Sequence, residues 1–441
     1  MEDDMNAALI GAGIAVFAGF GSAVGIGIAA SGGSRAIALN PEKEKSIRMI
    51  TFLGIIMGSA CSIYGLLIAL IVISGQGSDT SLIGAGIAAI ASAGAAIGIG
   101  IAASGGSLAT AQQPEKEKSI RMITFLGIVL AEACAIYGLL VAFIIISIGK
   151  ADPALIGAGI ATLAGAGAAV GIGLAADGGS QAIARQPEKE KSIRMITFLG
   201  IVLAEACAIY GLLIAFIIIG SGETSLSLIG AGIATLAGAG AAVGIGLAAS
   251  GGSHAIARRP EKEKSMRMIT FLGIVLAEAC AIYGLLIAFI IIGNGGANLS
   301  LIGAGAATLA GAGAAIGIGL AASGGNQGIA RQPEKEKSIR MITFLGIVLA
   351  EACAIYGLLV AFIIIGNSGE NLSLIGAGAA TLAGAGAAIG IGLAASGGSQ
   401  GIARQPEKEK SIRMITFLGI VLAEACAIYG LLVAFIIIGN G

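Results

Sequence analysis

Long apolar segments alternate with short, strongly charged loops along this chain. A representative pair runs from about Leu82 to Ala111 and from about Ser119 to Ile146, on either side of one loop. Each segment exceeds the ~20 residues that a helix needs to cross the hydrocarbon core of a bilayer. Membrane-spanning open strands are excluded, because lipid-exposed sheet edges would leave backbone groups unpaired. The pattern therefore predicts transmembrane helical hairpins.

The same hairpin occurs six times at a constant interval. The sequence Pro-Glu-Lys-Glu-Lys-Ser starts at positions 41, 114, 187, 260, 333 and 406, and the six cysteines and six tyrosines keep the same interval of 73 residues. A fixed period indicates tandem repeats of one unit. We therefore predict an all-α membrane protein of twelve transmembrane helices, with both termini on one side. Hairpins 1 to 6 are predicted over residues 1–77, 78–150, 151–223, 224–296, 297–369 and 370–441.

Composition narrows the class of protein further. The chain is 56% hydrophobic and 11% charged, and it contains 74 glycines without a three-residue period, which excludes collagen. Its other residues are mostly Ala, Ile and Leu, which excludes a disordered chain. The formal net charge is zero, so the basic footprint of a nucleic-acid-binding protein is absent. Membrane lipid is the expected surrounding.

The basic residues set the predicted orientation. Of 25 Lys and Arg residues, 24 lie in the six loops within hairpins, and the exception is Lys150. Cytoplasmic loops are enriched in Lys and Arg, so we expect these loops inside and both termini outside. The acidic start, Met1 to Asp4, is unlike the basic opening of a signal peptide. We expect the first helix to insert by itself.

The two helices of a hairpin differ in bulk. The first is crowded with small residues, including Gly167 and Gly171 in the small-xxx-small spacing that lets membrane helices approach closely. The second carries large side chains such as Phe198 and Phe216. Repeating a thin inner helix and a thick outer helix generates all or part of a closed ring. The alternative is a glycine-rich bundle without ring symmetry.

The second helix of five hairpins carries a single acid near its middle. A carboxylate at the bilayer centre costs ~2.5–3.5 kcal/mol on insertion scales, and its loss of hydration disfavours the charged form. We therefore expect a protonated acid, or a carboxylate with a bound cation, that takes up and releases ions. The alternative is a structural hydrogen bond between helices. The five acids are Glu132, Glu205, Glu278, Glu351 and Glu424.

Other polar positions receive smaller roles. Ser59 replaces the acid in hairpin 1, so that hairpin is predicted to be silent. Twelve further acids lie in the loops, eight are interpreted as lying on polar surfaces or chain ends, and His254 is interpreted as solvated. A tyrosine five residues after each acid could reach a carboxyl on the same or a neighbouring helix, or serve only in packing. These tyrosines are Tyr137, Tyr210, Tyr283, Tyr356 and Tyr429.

Three features in this order resemble the rotor-ring proteolipids, or c subunits, of rotary ATP synthases and ATPases. They are the glycine-rich first helix, an Ala-Arg-Gln-Pro loop and the mid-membrane Glu, and the resemblance covers essentially the whole chain. It implies a non-catalytic subunit without a resident cofactor or metal, whose Glu residues carry ions past a stator a-type subunit. It also implies loops that contact the central stalk. The loop residues that match are Arg185, Gln186, Pro187, Arg331, Gln332, Pro333, Arg404, Gln405 and Pro406.

The resemblance leaves the type of complex and the ion open. The loop is typical of F-type proteolipids, whereas fused hairpins with a missing acid are similar to V-type proteolipids. Sodium-binding F-type relatives have a Gln where this chain has Ile172, Ile318 and Ile391, and a hydroxyl residue where Ala follows every Glu. A proton is therefore the expected ion, with Na⁺ as the alternative. We expect a prokaryotic plasma membrane and two chains in a ring of twelve hairpins.

Two other classes of membrane protein compete with this interpretation. A twelve-helix secondary transporter would show two or four internal repeats with broken helices and a central site, not six near-identical hairpins. A structural membrane oligomer or a pore without transport chemistry would not need an acid in five of its six hairpins.

Overall fold

Eighteen α-helices form six hairpins in a computed structural model that describes residues 2–74, 80–295, 298–367 and 371–440. Each first transmembrane helix consists of two consecutive α-helices, and each second one is a single α-helix. Hairpins 1 to 3 comprise α1 (Glu2–Val16), α2 (Ala18–Leu39) and α3 (Glu44–Ser74); α4 (Ser81–Ala89), α5 (Ala91–Gln112) and α6 (Glu117–Ile148); α7 (Ala154–Ala161), α8 (Ala164–Arg185) and α9 (Glu190–Ser221). Hairpins 4 to 6 comprise α10 (Leu228–Thr235), α11 (Ala237–Arg258) and α12 (Glu263–Gly293); α13 (Ser300–Ala307), α14 (Ala310–Arg331) and α15 (Glu336–Gly366); α16 (Ser373–Ala380), α17 (Ala383–Arg404) and α18 (Glu409–Asn440).

The prediction of twelve membrane-length apolar helices in six hairpins is confirmed over the described residues. The predicted unit boundaries after residues 77, 296 and 369 lie outside the described residues. Those after residues 150 and 223 fall in the linkers that follow α6 and α9. Both helices end at a glycine with positive φ, Gly149 and Gly222, a conformation that closes a helix at little cost only in glycine.

A proline shapes the turn inside each hairpin. Gln186 leaves the helical region, which is disfavoured for a residue before proline, and its backbone N–H still donates to Ala182 O. Pro187 then starts a single 3-10 turn, for which its fixed φ is suited and its missing N–H costs nothing. The chain therefore reverses within a few residues and enters α9 at Glu190.

The regular α-helical hydrogen bonding of each first helix is interrupted where its two α-helices meet. In hairpin 3 the hydroxyl of Thr162 donates to Gly159 O at 2.7 Å, and the backbone N–H of Leu163 donates to Ile160 O three residues back. Thr235, Thr308 and Thr381 make the same contact in hairpins 4 to 6, and a hydroxyl bonded to its own helix in this way weakens the regular ladder. The interruption in hairpin 3 lies next to Gly165, where an added Cβ would be in ordinary contact with Cys134 of the preceding hairpin.

The hairpins stand side by side in chain order in a curved row. Consecutive first helices pack against one another along their length, whereas consecutive second helices touch much less, so the first helices occupy the inner, narrower radius. A Cβ on Gly171 would lie 2.0 Å from Ala242 O in the next hairpin, so the backbones themselves are in contact. On the second helices Val202, Ile209 and Phe216 recur every seven residues on one exposed face that is suited to lipid.

Gly167 and Gly165, two residues apart in α8, provide a matched test of this packing. A Cβ on Gly167 would lie 2.3 Å from Ala239 O, so Gly167→Ala should destabilise the chain by about 1–3 kcal/mol through overpacking against backbone. Gly165→Ala should be neutral or slightly stabilising, because its nearest neighbour would be 3.4 Å away and alanine favours helix. Unfolding of purified chains in detergent, followed by circular dichroism, measures both; equal effects would contradict backbone contact at position 167.

Candidate functional site

The five membrane acids lie near the middle of α6, α9, α12, α15 and α18, and each meets a tyrosine of the preceding hairpin. The hydroxyl of Tyr137 in α6 donates to Glu205 Oε1 in α9 at 3.3 Å. The spacing is the same in every case, and the distances are 3.1–3.4 Å. The pairs are Tyr64–Glu132, Tyr137–Glu205, Tyr210–Glu278, Tyr283–Glu351 and Tyr356–Glu424. Each site is therefore built by two consecutive hairpins.

Buried small and apolar residues flank the acids. Ala204 and Cys207, on either side of Glu205 in sequence, are fully buried, and Ile172 of the first helix in the same hairpin is fully buried in the same apolar cluster. The Cys207 thiol donates its hydrogen bond to Leu203 O, a backbone carbonyl of its own helix, and not to the Glu205 carboxyl. The Glu205 side chain itself is half-buried, which leaves it reachable from the outer face. The described residues contain no group of three or more His, Cys, Asp or Glu suited to a metal ion.

This arrangement supports reversible charging of one carboxyl. The tyrosine hydroxyl donates to Oε1, which leaves Oε2 of the same carboxyl to carry a proton or face a small cation. In an apolar setting the neutral acid is favoured, and contact with water or a positive group favours the carboxylate. One half-buried acid with one hydrogen-bond donor can therefore alternate between a neutral and a charged state.

Hairpin 1 supplies a tyrosine but no acid. Tyr64 donates to Glu132, whereas Ser59 stands in α3 at the position of the acids, and the Ser62 hydroxyl donates to the Ser59 carbonyl. At the other end of the row, Tyr429 in α18 is 63% exposed, because among the described residues no further hairpin packs against that side of α18. The site residues predicted from sequence therefore pair with an offset of one hairpin, which the five-residue spacing alone left open.

The charged loops are joined to one another in a continuous series. Arg185, Gln186 and Pro187 lie at the end of α8 and the start of the following turn, as do their counterparts in hairpins 5 and 6. Lys116 of one loop pairs with Glu190 of the next at 2.9 Å, and the same contact occurs at all five junctions. At hairpin 4, Arg259 replaces Gln and its guanidinium donates to Ala330 O of the next hairpin. The result is one charged rim along the row.

One first helix carries a charged residue that was not predicted to lie there. Asp177, interpreted as a surface acid, lies inside α8 within a membrane-length helix, where Gln181 donates to its Oδ1 at 2.7 Å. Its counterparts in the other hairpins are serines. His254, interpreted as solvated, is half-buried, and its buried Nε2 has no hydrogen-bond partner among the described residues. Comparing the units position by position, rather than counting acids, singles out both residues.

Comparisons with known proteins give one consistent result. Six segments match the family of the ATP synthase C subunit, at residues 10–72, 83–145, 156–218, 229–291, 302–364 and 375–437. The chain is 34% identical over 230 residues to the K subunit of the A-type ATP synthase of Methanocaldococcus jannaschii, which covers 49% of this chain and 98% of that protein. It is 47% identical over 66 residues to the ATP synthase c subunit of Clostridium beijerinckii and 56% over 66 residues to that of Clostridium botulinum, each covering 15% of this chain and 93% of the relative.

Removing one tyrosine hydroxyl should change one acid only. In Tyr137→Phe, Glu205 loses its hydrogen-bond donor, and labelling of Glu205 by dicyclohexylcarbodiimide should change a few-fold, in line with a net hydrogen-bond contribution of about 0.5–1.5 kcal/mol. Peptide mass spectrometry of the labelled chain reports each acid separately. Tyr429→Phe is the matched control, because Tyr429 has no acid on a following hairpin and labelling of all five acids should stay unchanged. Equal changes at every acid in Tyr137→Phe would contradict the pairing.

Proposed function

The chain belongs to the ATP synthase C-subunit family, and we propose that its five mid-membrane acids carry protons as the ring of hairpins turns. Its role is that of a rotor-ring subunit in the membrane part of a rotary ATP synthase or ATPase. The observation that supports this most directly is the recurrence of one half-buried acid, with one tyrosine partner, at five equivalent junctions. The subunit supplies ion carriers, and we assign no catalytic residue to it.

The proposed partners follow from the positions of the groups. An a-type stator subunit faces the second helices, where the acids lie, and the central stalk contacts the charged rim made by the loops. We place the loops on the cytoplasmic side of a prokaryotic plasma membrane and both termini outside, as the distribution of Lys and Arg indicates. Two chains, with twelve hairpins and ten acids, form the proposed ring.

Two observations bear on the type of complex. The A-type relative matches over 230 residues, about the length of three of these hairpins, whereas the c subunits match over one hairpin. Fused hairpins are therefore a feature that this chain shares with the A-type relative.

The missing carrier in hairpin 1 bears on the working direction of the complex. With one carrier missing in six, fewer ions cross per turn, so we propose that the complex works as a pump against a larger gradient rather than as a synthase at a small one.

The proton assignment rests on the few oxygen ligands around the acids. Tyr137 is the side chain that hydrogen-bonds to Glu205, and Ala206 follows the acid directly where sodium-binding F-type relatives carry a hydroxyl. Ile172 is fully buried at the position of their Gln. A desolvated Na⁺ needs several oxygen ligands, whereas a proton needs one carboxyl oxygen. Sodium is the alternative for the same rotor role.

Neutralising the acids should uncouple the complex. With all five Glu residues replaced by Gln, the assembled complex should lose ATP-driven ion pumping to background, because no second helix then carries a mid-membrane group that can be charged. Ion uptake into vesicles containing the purified complex measures this. Glu223→Gln, in the linker after α9, is the control and should leave pumping unchanged. Undiminished pumping by the five-fold variant would refute the rotor mechanism for this chain.

Sodium should leave the acids reactive. If the carriers bind protons, carbodiimide labelling of Glu132, Glu205, Glu278, Glu351 and Glu424 at constant pH should be the same with and without Na⁺, at matched ionic strength set with K⁺. Labelling that slows as Na⁺ is added would show that Na⁺ competes for the carboxyls and would overturn the proton assignment. Mass spectrometry of the individual peptides shows which acids respond.

A further inference from the structure

The two ends of the row carry matching halves of the junction that recurs five times inside the chain. The clearest case is the loop contact, in which a Lys of one hairpin pairs with a Glu of the next at 2.8–3.6 Å. Those five glutamates have side chains 21–22% exposed, whereas the counterpart in hairpin 1, Glu44, is 53% exposed. The lysine left over at the other end, Lys408, is exposed. A basic half-site and an acidic half-site thus lie at opposite ends.

A buried hydroxyl contact is likewise formed inside the row and left open at the end of hairpin 1. At four of the five internal junctions a threonine of the second helix meets a serine of the next first helix, as Thr124 Oγ1 meets Ser180 Oγ at 3.2 Å. At the fifth, Asn326 replaces the serine and donates to Thr270 Oγ1. Ser180 and its equivalents Ser107, Ser253 and Ser399 are fully buried. The corresponding serine of hairpin 1, Ser34, is exposed.

Backbone contacts between first helices are also left open at both ends. Inside the row, a Cβ on Gly171 or its equivalents would strike a carbonyl of the next hairpin at 2.0–2.1 Å, whereas Gly390 in α17 would meet only the Ala423 side chain at 3.4 Å. In the opposite direction, a Cβ on Gly173 would strike Gly98 O of the preceding hairpin, whereas Gly27 in α2 has nothing within 4 Å. Transferring the internal geometry places Gly27 against Gly390.

We propose that hairpin 6 of one chain docks on hairpin 1 of a second copy, and that this seam is the one junction without an ion site. The partner is a second copy because the two faces are complementary in charge and continue an interface already formed five times. The transferred contacts are Lys408 to Glu44, Thr416 to Ser34 and Gly390 to Gly27 of the other copy. The inference rests on the proposed ring of two chains and specifies how its chains meet.

The position of Ser59 gives this seam its functional meaning. Each acid is paired with the tyrosine of the hairpin before it, so an acid at position 59 would need Tyr429 of the other copy. Serine there means that every one of the five tyrosine–acid pairs is completed within one chain. The seam consequently holds the ring together without having to bind or release an ion, and a single folded chain contains all of its sites before assembly.

Cross-linking tests the seam directly. In Ser34→Cys/Thr416→Cys, oxidation should join two copies into a covalent dimer, since the hydroxyl oxygens that meet at this contact lie 3.1–3.5 Å apart at four internal junctions. Thr124→Cys/Ser180→Cys is the matched control and should form the same bond without a dimer, because both residues belong to one chain. If the control pair forms its disulfide and the seam pair does not, docking by a second copy is overturned. A seam pair that forms its disulfide within one chain would overturn it as well.

Restoring the acid tests the silent site. In Ser59→Glu, a sixth peptide should become reactive to carbodiimide, and adding Tyr429→Phe should change its labelling a few-fold while the five native acids stay unchanged. Adding Gly27→Leu instead should prevent docking, and Tyr429→Phe should then have no effect on position 59. An effect of Tyr429→Phe that persists in undocked chains, or one absent from intact rings, would refute the seam. These readouts need no ion pumping, so they separate this inference from the proposed function.

Discussion

Direct backbone contact between neighbouring first helices is the constraint on which this architecture depends. Lipid tails are as apolar as the helix surfaces, so no hydrophobic driving force brings the helices together. Their association relies instead on close packing. Gly171 reaches the carbonyl of Ala242 in the next hairpin without an intervening side chain, and Gly173 does the same with Gly98 in the preceding one. The two contacts lie on opposite sides of α8. A helix with such glycines on two opposite sides packs against a neighbour on each side, so the helices form a row and not a pair.

The second helices follow from this geometry. Because the first helices fill the narrow inner radius, the second helices stand further apart on the outside and bury less of their surface. A side chain between two of them is neither in the core nor fully in lipid, and Glu205 occupies such a place with Tyr137 as its donor. Full burial would fix the acid in its neutral form, and full exposure would leave nothing to hold it in position. The half-buried site between hairpins makes both charge states accessible.

Periodicity predicted most of the fold, because a repeat of 73 residues with two apolar segments allows few architectures in a membrane. The acids were equally visible, since a charged residue in an apolar helix is costly enough to require a role. The partner of each acid was not predictable: Tyr137 lies five residues beyond Glu132 on its own helix, yet donates to Glu205, because helix rotation and stagger between hairpins decide which acid it reaches. Asp177 was misjudged because counting acids ignores which ones lie inside a helix. The open ends of the row, with Gly27 and Gly390 free of backbone contacts, are a property of packing that no single unit contains.

Fusion of the hairpins changes what sequence variation can achieve in such an assembly. In a ring of separate identical hairpins, one substitution appears at every position and the sites remain equivalent. Here each hairpin has a fixed place in the row, so a substitution can occur in one hairpin alone. Ser59 stands in place of an acid in hairpin 1, Asp177 places an acid on the first helix of hairpin 3, and His254 occurs in hairpin 4. In the proposed ring of two chains, the end hairpins are the places where such freedom has a structural use, because only they meet another chain. A residue that must be both an ion carrier and part of a chain-to-chain contact would tie ion affinity to assembly, and in that ring the serine at position 59 separates the two.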